Sequence, residues 1–147
     1  MNDYNDNEAQ VRYDKIDPHL RETGWETKDG VKVFVEFKIN KGQIQLGGSY
    51  GERKKVDYLL TKNGANLPVI EAKSIKESYL DGVGQAKEYA RLLDVRFTYA
   101  SDGDNYYQID MLTGEEKLVD KLPSPDELWN LTFSLATNWE MEFRKVP

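Results

Sequence analysis

"RKKVDYLLTKNGANLPVIEAKS", residues 53–74, holds two apolar runs separated by turn residues. "KKVDYLLT" (54–61) and "PVIEAK" (68–73) are rich in residues that favour strands, and Asn63-Gly64 between them supplies turn chemistry. Side chains along a strand alternate between its two faces. Val56, Tyr58 and Leu60 then face one side, and Lys55, Asp57 and Leu59 the other. Glu71 and Lys73, two residues apart, share a face. If the two runs pair as a hairpin, Asp57 and Glu71 meet on one face with Lys73 beside them.

The Glu71/Lys73 spacing alone says little. The chain has five E-x-K triplets, the others being Glu26/Lys28, Glu36/Lys38, Glu52/Lys54 and Glu115/Lys117. Three of these four lie in polar, turn-like surroundings. Glu36/Lys38 lies in a good strand, but a glycine-rich connection follows it instead of a helix. Glu71/Lys73 has a carboxylate one strand upstream and a helix downstream. That helix carries Gln85 and Tyr89 four residues apart, on one face.

Two converging carboxylates with no histidine or thiol nearby suit a hard cation. Mg²⁺ or Mn²⁺ prefers oxygen ligands and leaves coordination positions to water and phosphate. A lysine beside such an ion can orient the attacking water or stabilise charge on a pentavalent phosphorane. That is the chemistry of phosphodiester hydrolysis. A hairpin carrying a cross-strand ion pair satisfies the same spacing, and the spacing leaves both readings open.

Composition narrows the classes. A chain of 147 residues with 39% hydrophobic and 31% charged residues fits one soluble globular domain. No apolar run is long enough to span a membrane, and the polar N-terminus is unlike a secretory signal. The absence of cysteine excludes disulfides, Cys-ligated zinc and thiol nucleophiles, and fits a cytoplasmic protein. The single histidine, His19, excludes a multi-histidine metal site and reads as a surface or capping residue. A net charge of −6 argues against a free-standing, high-affinity nucleic-acid binder. It leaves room for a catalytic module whose grip on DNA comes from elsewhere.

Outward from the hairpin, residues 7–23 carry Val11, Ile16 and Leu20 at helical spacing. Pro18 either kinks or restarts that helix, Gly24 ends it and Trp25 anchors it. Residues 31–39 read as a strand, with a turn-rich connection and a short strand at 43–46 after it. Residues 78–93 read as a helix, 95–101 as a strand, and "YYQIDMLT" as its hairpin partner. A last helix starts with Ser124 as its cap and Pro125 in its first turn. The order α-β-β-β-α-β, then a further strand and helix, implies a mixed central sheet flanked by helices. "GVGQAK" (82–87) lacks the Gly-Lys-Ser/Thr of a phosphate loop and sits inside helical periodicity.

An Asp, thirteen residues, Glu-Ala-Lys, and then a helix with Q-x-x-x-Y resembles the PD-(D/E)XK nuclease superfamily. More narrowly, the chain resembles the N-terminal nuclease domain of type I restriction endonuclease R subunits. The resemblance extends from "NEAQVRYDKIDPHLRETGW" (7–25), through the two catalytic strands and "GVGQAKEYARLL" (82–93), to "FTYASDGDNYYQIDMLTGE" (97–115) and "LPSPDELW" (122–129). It implies a restriction-endonuclease-like fold over residues 1–147, as one domain of a longer chain with ATP-dependent motor domains. It also implies Asp57 and Glu71 as metal-binding carboxylates for Mg²⁺, with Mn²⁺ as a substitute. Lys73 becomes the catalytic lysine, Gln85 and Tyr89 the helix motif, and Glu8 an additional acid near the metal. Val56 stands where the motif has proline, which is not a ligand. The implied partners are double-stranded DNA and, through the full-length chain, methylation and specificity subunits. The alternative is a non-catalytic nuclease-fold docking domain in a larger DNA-processing assembly.

Overall fold

Asn63 and Gly64 are both left-handed, with φ of 52° and 83°, and Lys62 lies opposite Ala65 across them. That backbone matches strand twist, and the Asn-Gly pair adopts it at low steric cost. The turn joins β2 (Lys54–Lys62) to β3 (Ala65–Ala72) as an antiparallel hairpin. The computed structural model describes residues 8–39, 54–74 and 78–133. The short strand expected at 43–46 lies outside them.

β1 (Val31–Ile39) pairs antiparallel with β2, on the hairpin's far side from β3. After β3 a 3₁₀ turn (Tyr79–Gly82) leads directly into α3 (Val83–Leu93), matching the single helix expected over 78–93. The chain returns as β4 (Phe97–Ser101), parallel to β3. β5 (Tyr106–Asp110) and β6 (Glu116–Val119) add antiparallel strands and complete a six-stranded sheet in the order β1-β2-β3-β4-β5-β6. β6 was not expected: "EKLV" is too short and too exposed to announce itself as a strand.

The first helical segment runs in three pieces. α1 (Glu8–Val11) passes into a π-helical turn (Arg12–Ile16) and then α2 (Asp17–Glu22). Pro18 sits in the first turn of α2, so it restarts the helix. Gly24, at φ 97°, closes the helix with two bonds: Trp25 N–H to the Leu20 carbonyl (2.8 Å) and Gly24 N–H to that of Arg21 (3.2 Å). Trp25 is buried and its indole donates to the Pro123 carbonyl at 2.8 Å. The last helix, α4, begins at 125 and is described to 133. Ser124 Oγ accepts the Glu127 N–H (3.1 Å) and Glu127 Oε1 accepts the Ser124 N–H (2.9 Å), a reciprocal cap.

Apolar residues pack on both faces of the sheet. One cluster joins Val11, Ile16, Leu20 and Trp25 to Tyr58, Leu60, Ile70 and Tyr99. The other joins Tyr89, Ala90 and Val95 to Ile39, Val56, Leu59 and Val69. Val56 was expected on the side of Tyr58 and Leu60, but it packs in the opposite cluster. The same exchange occurs on β1, where Val31 and Val33 belong to the first cluster and Phe37 and Ile39 to the second. Between them lies Glu36, left-handed at φ 51°. A non-glycine residue in that region breaks the two-residue alternation of a strand. The paired strands therefore change faces beside Asp57.

His19 is neither a surface group nor a helix cap. Its ring is half-buried, stacks on Tyr106 at 4.4 Å, and accepts the Leu122 N–H at Nε2 (3.1 Å). Among the described residues no helix is long and apolar enough to cross a membrane.

Candidate active site

The hairpin register places Tyr58 opposite Ile70. Asp57 and Glu71 are the next residues along each strand, and their groups are bonded across it. The Asp57 N–H donates to Glu71 Oε2 at 3.0 Å, and the Ala72 N–H donates to Asp57 Oδ2 at 2.8 Å. Main-chain donors thus fix both carboxylates before any ligand is considered. Glu71 is only 4% exposed.

Lys73 follows at the end of β3, where its N–H bonds the Ser101 carbonyl on β4 at 2.8 Å. Its ammonium reaches Glu8 Oε2 at 3.8 Å, which brings the first helix to the site. Gly82 explains how the lysine stem fits. A Cβ on Gly82 would stand 3.3 Å from both Cγ and Cε of Lys73, and 3.6 Å from the Ala100 Cβ. A glycine there lets the helix start close over the lysine.

Asp57, Glu71, Lys73, Glu8, Gln85 and Tyr89 all line one cleft of about 420 Å³. The structure therefore brings together every residue expected at the site. Tyr89 is buried, whereas Gln85 is exposed. The same cleft is lined by Arg12, Glu36 and Lys55, which sequence reasoning did not place there. Arg12 lies 45 positions from Asp57, so no local pattern could announce it. Glu36 had been set aside with its triplet.

These residues form a chain of charge. Arg12 Nη2 donates to Glu36 Oε2 at 3.0 Å, and its Nη1 donates to Asp57 Oδ1 at 3.5 Å. Lys55 Nζ reaches the other oxygen of Glu36 at 3.4 Å. The two cations hold the Glu36 carboxyl below its ordinary range. Inside the cleft the shifts run the other way. Burial, and then the neighbouring Asp57 charge, push the Glu71 carboxyl up to about 9. Burial also raises Asp57, opposed by the Ala72 N–H and by Arg12. Burial, with Glu71 next, pushes the Tyr89 phenol up to about 12. Two buried carboxyls that resist ionising together would be relieved by a cation held between them.

The donor set fits a hard divalent ion only in part. Asp57 and Glu71 supply carboxylate oxygens on a polar cleft with room for water. Among the described residues no group of three or more His, Cys, Asp or Glu converges as a metal cage. Such a pair suits an ion that completes its shell with water and substrate oxygens.

Comparison with known proteins gives the chain its relatives. The Type I restriction enzyme EcoAI endonuclease subunit of Escherichia coli is 33% identical over 132 residues. This chain is homologous to the endonuclease subunits of type I restriction enzymes. The match covers 83% of this chain and 16% of the E. coli subunit. A solved fragment of an HsdR subunit of a type I restriction enzyme from Vibrio vulnificus YJ016 superposes with a TM-score of 0.75 at 34% identity. That match covers 84% of this chain and 25% of the Vibrio chain, and the mixed sheet with its helices fits a restriction-endonuclease-like fold. No family model matches the chain.

Proposed function

We propose that this chain is a Mg²⁺-dependent DNA endonuclease module, the cleavage part of a type I restriction endonuclease subunit. The observation that carries the reading is the Asp57–Glu71 pair, fixed by main-chain donors on adjacent strands with Lys73 in the same cleft. Asp57 and Glu71 would hold the ion. Bound there, it supplies Lewis acidity toward a phosphate oxygen and toward water.

The chain's own residues supply the rest. The Ala72 and Asp57 N–H groups keep the carboxylates in place through a catalytic cycle. The Lys73 ammonium, with its stem held under Gly82, stabilises negative charge on the phosphate oxygens and orients the attacking water. Gln85 offers a donor and an acceptor at the cleft wall, and Tyr89 a hydroxyl whose raised pKa keeps it protonated. Glu8, 3.8 Å from the ammonium, restrains the lysine from the first helix.

The rest of such a subunit would contain ATP-dependent motor domains, and methylation and specificity subunits would choose the DNA. A docking module, the alternative from sequence, gives the buried carboxylate pair no task.

Two measurements test the proposal. Calorimetry with Mn²⁺ should detect binding to the wild type and its loss in Glu71→Ala. In the assembled parent enzyme, Asp57→Ala, Glu71→Ala and Lys73→Ala should each abolish DNA cleavage and leave ATP hydrolysis intact. Undiminished cleavage by a folded Glu71→Ala enzyme would refute the reading.

A further inference from the structure

Arg12, with Glu36 and Lys55, belongs to the part of the cleft that the proposed hydrolysis does not use. Its side chain is 12% exposed, and it starts the π-helical turn. A π turn carries one residue more per loop than an α-helix and re-aims its side chains, often at functional sites. The guanidinium is shared unequally between Glu36 at 3.0 Å and Asp57 at 3.5 Å. Glu36 is presented to it from a left-handed position in the middle of a strand. Two features that break local regularity thus converge on one ion-pair relay.

Resting on the reading of Asp57 and Glu71 as metal ligands, we propose that Arg12 is a positioning residue that acts as the resident counter-cation of Asp57. In the metal-free protein it offsets the charge on Oδ1, while the Ala72 N–H holds Oδ2. A divalent ion held by Asp57 and Glu71 would compete with the guanidinium for Asp57 and repel it. Glu36 stands ready to receive it: it is already the nearer partner, and its half-exposed carboxylate is anchored by Lys55. Loading the site then requires no large movement, only the surrender of the longer of two existing bonds. The arrangement lowers the cost of two buried carboxylates in the empty site and weakens metal binding in exchange.

The test compares Arg12→Gln, Arg12→Lys and Lys55→Gln by Mn²⁺ calorimetry and by thermal melting with EDTA or Mn²⁺. Arg12→Gln removes the competing charge, so Mn²⁺ should bind about tenfold more tightly after screening. Its metal-free Tm should fall and its Mn²⁺-induced rise in Tm should exceed that of the wild type. Arg12→Lys restores a charge and should return the affinity toward the wild-type value. Lys55→Gln removes a cation that pairs with Glu36 but not with Asp57, so it should tighten binding far less. A purely structural Arg12 would lower the Tm and weaken Mn²⁺ binding together, and that result, or an unchanged affinity, overturns the inference. Equal tightening in Lys55→Gln would also overturn it, since net charge alone would then suffice. Failure of the wild type and all variants to bind Mn²⁺ would remove the proposed function and this inference with it.

Discussion

Replacing Glu71 with Gln should stabilise the metal-free protein, and the gain should depend on pH in a defined way. Gln keeps the shape and an oxygen for the Asp57 N–H, and its amide N–H₂ can stand in for the proton a neutral Glu71 would hold. The carboxyl is raised from 4.5 to about 9 in the folded state, chiefly by burial. A raised carboxyl favours folding where it is protonated in both states. That advantage is complete below pH 4.5 and is lost as pH rises toward 9. At pH 7 the folded state has to hold a proton that the unfolded chain releases, at a cost of about 3 kcal/mol from the shift. Relaxation around the pair reduces this, so a gain of about 1–3 kcal/mol is expected for Glu71→Gln, or roughly 3–10 °C in Tm. Urea denaturation in EDTA from pH 5 to pH 9 would measure it. The wild type should lose stability across the series, while the variant's curve should be flatter and converge on the wild type at the acid end. A variant less stable than the wild type at pH 8, or one with the same slope, would refute the electrostatic argument.

Gly82→Ala should reduce DNA cleavage by about tenfold while costing under about 2 kcal/mol of stability, because its methyl would press on the Lys73 stem at 3.3 Å. Plasmid cleavage by the parent enzyme and melting of the variant together check this, and wild-type cleavage would show that the lysine tolerates the push. Arg96→Ala should destabilise the fold by about 3 kcal/mol or more, since it strands Asp110 after removing bonds of 2.8 and 2.7 Å and a third to the Leu131 carbonyl. The loss should be visible in denaturant titration at neutral pH and should shrink in acid, since against its burial the Arg96 bonds hold the Asp110 carboxyl below the ordinary range and that advantage is lost as the carboxyl is protonated.

The parts of this protein legible in its sequence are those governed by short-range rules. β1 begins and ends where its β-branched and aromatic residues do. Asn63-Gly64 dictates the turn and the register beside it, but it is a one-residue shift between Leu59 and Thr61, which no residue in the run announces, that sets Asp57 opposite Glu71. Ser124 caps its helix as its chemistry requires. What could not be read depends on the whole fold. The face change across Glu36 needs a left-handed residue that nothing in "VKVFVEFKI" demands. Arg12 gains its role only when the first helix is laid across the hairpin, and His19 only when residue 122 returns to it. Gly82 resembles part of a phosphate loop in sequence, but its use is the absence of a side chain above Lys73.

The sheet follows chain order from β1 to β6, and this bears on the path by which the protein folds. Each strand can zip onto its predecessor, so most pairing closes short loops and contact order stays modest for a sheet of this size. Several long-range contacts come from the first helical segment and the residues that follow it, with Arg12 reaching 45 positions to Asp57, His19 reaching 103 to Leu122, and Trp25 reaching 98 to Pro123. The hairpin therefore brings its two acids together before their arginine arrives. Refolding in acid, where both carboxyls are protonated, should therefore speed hairpin closure more than the later docking of the first helix.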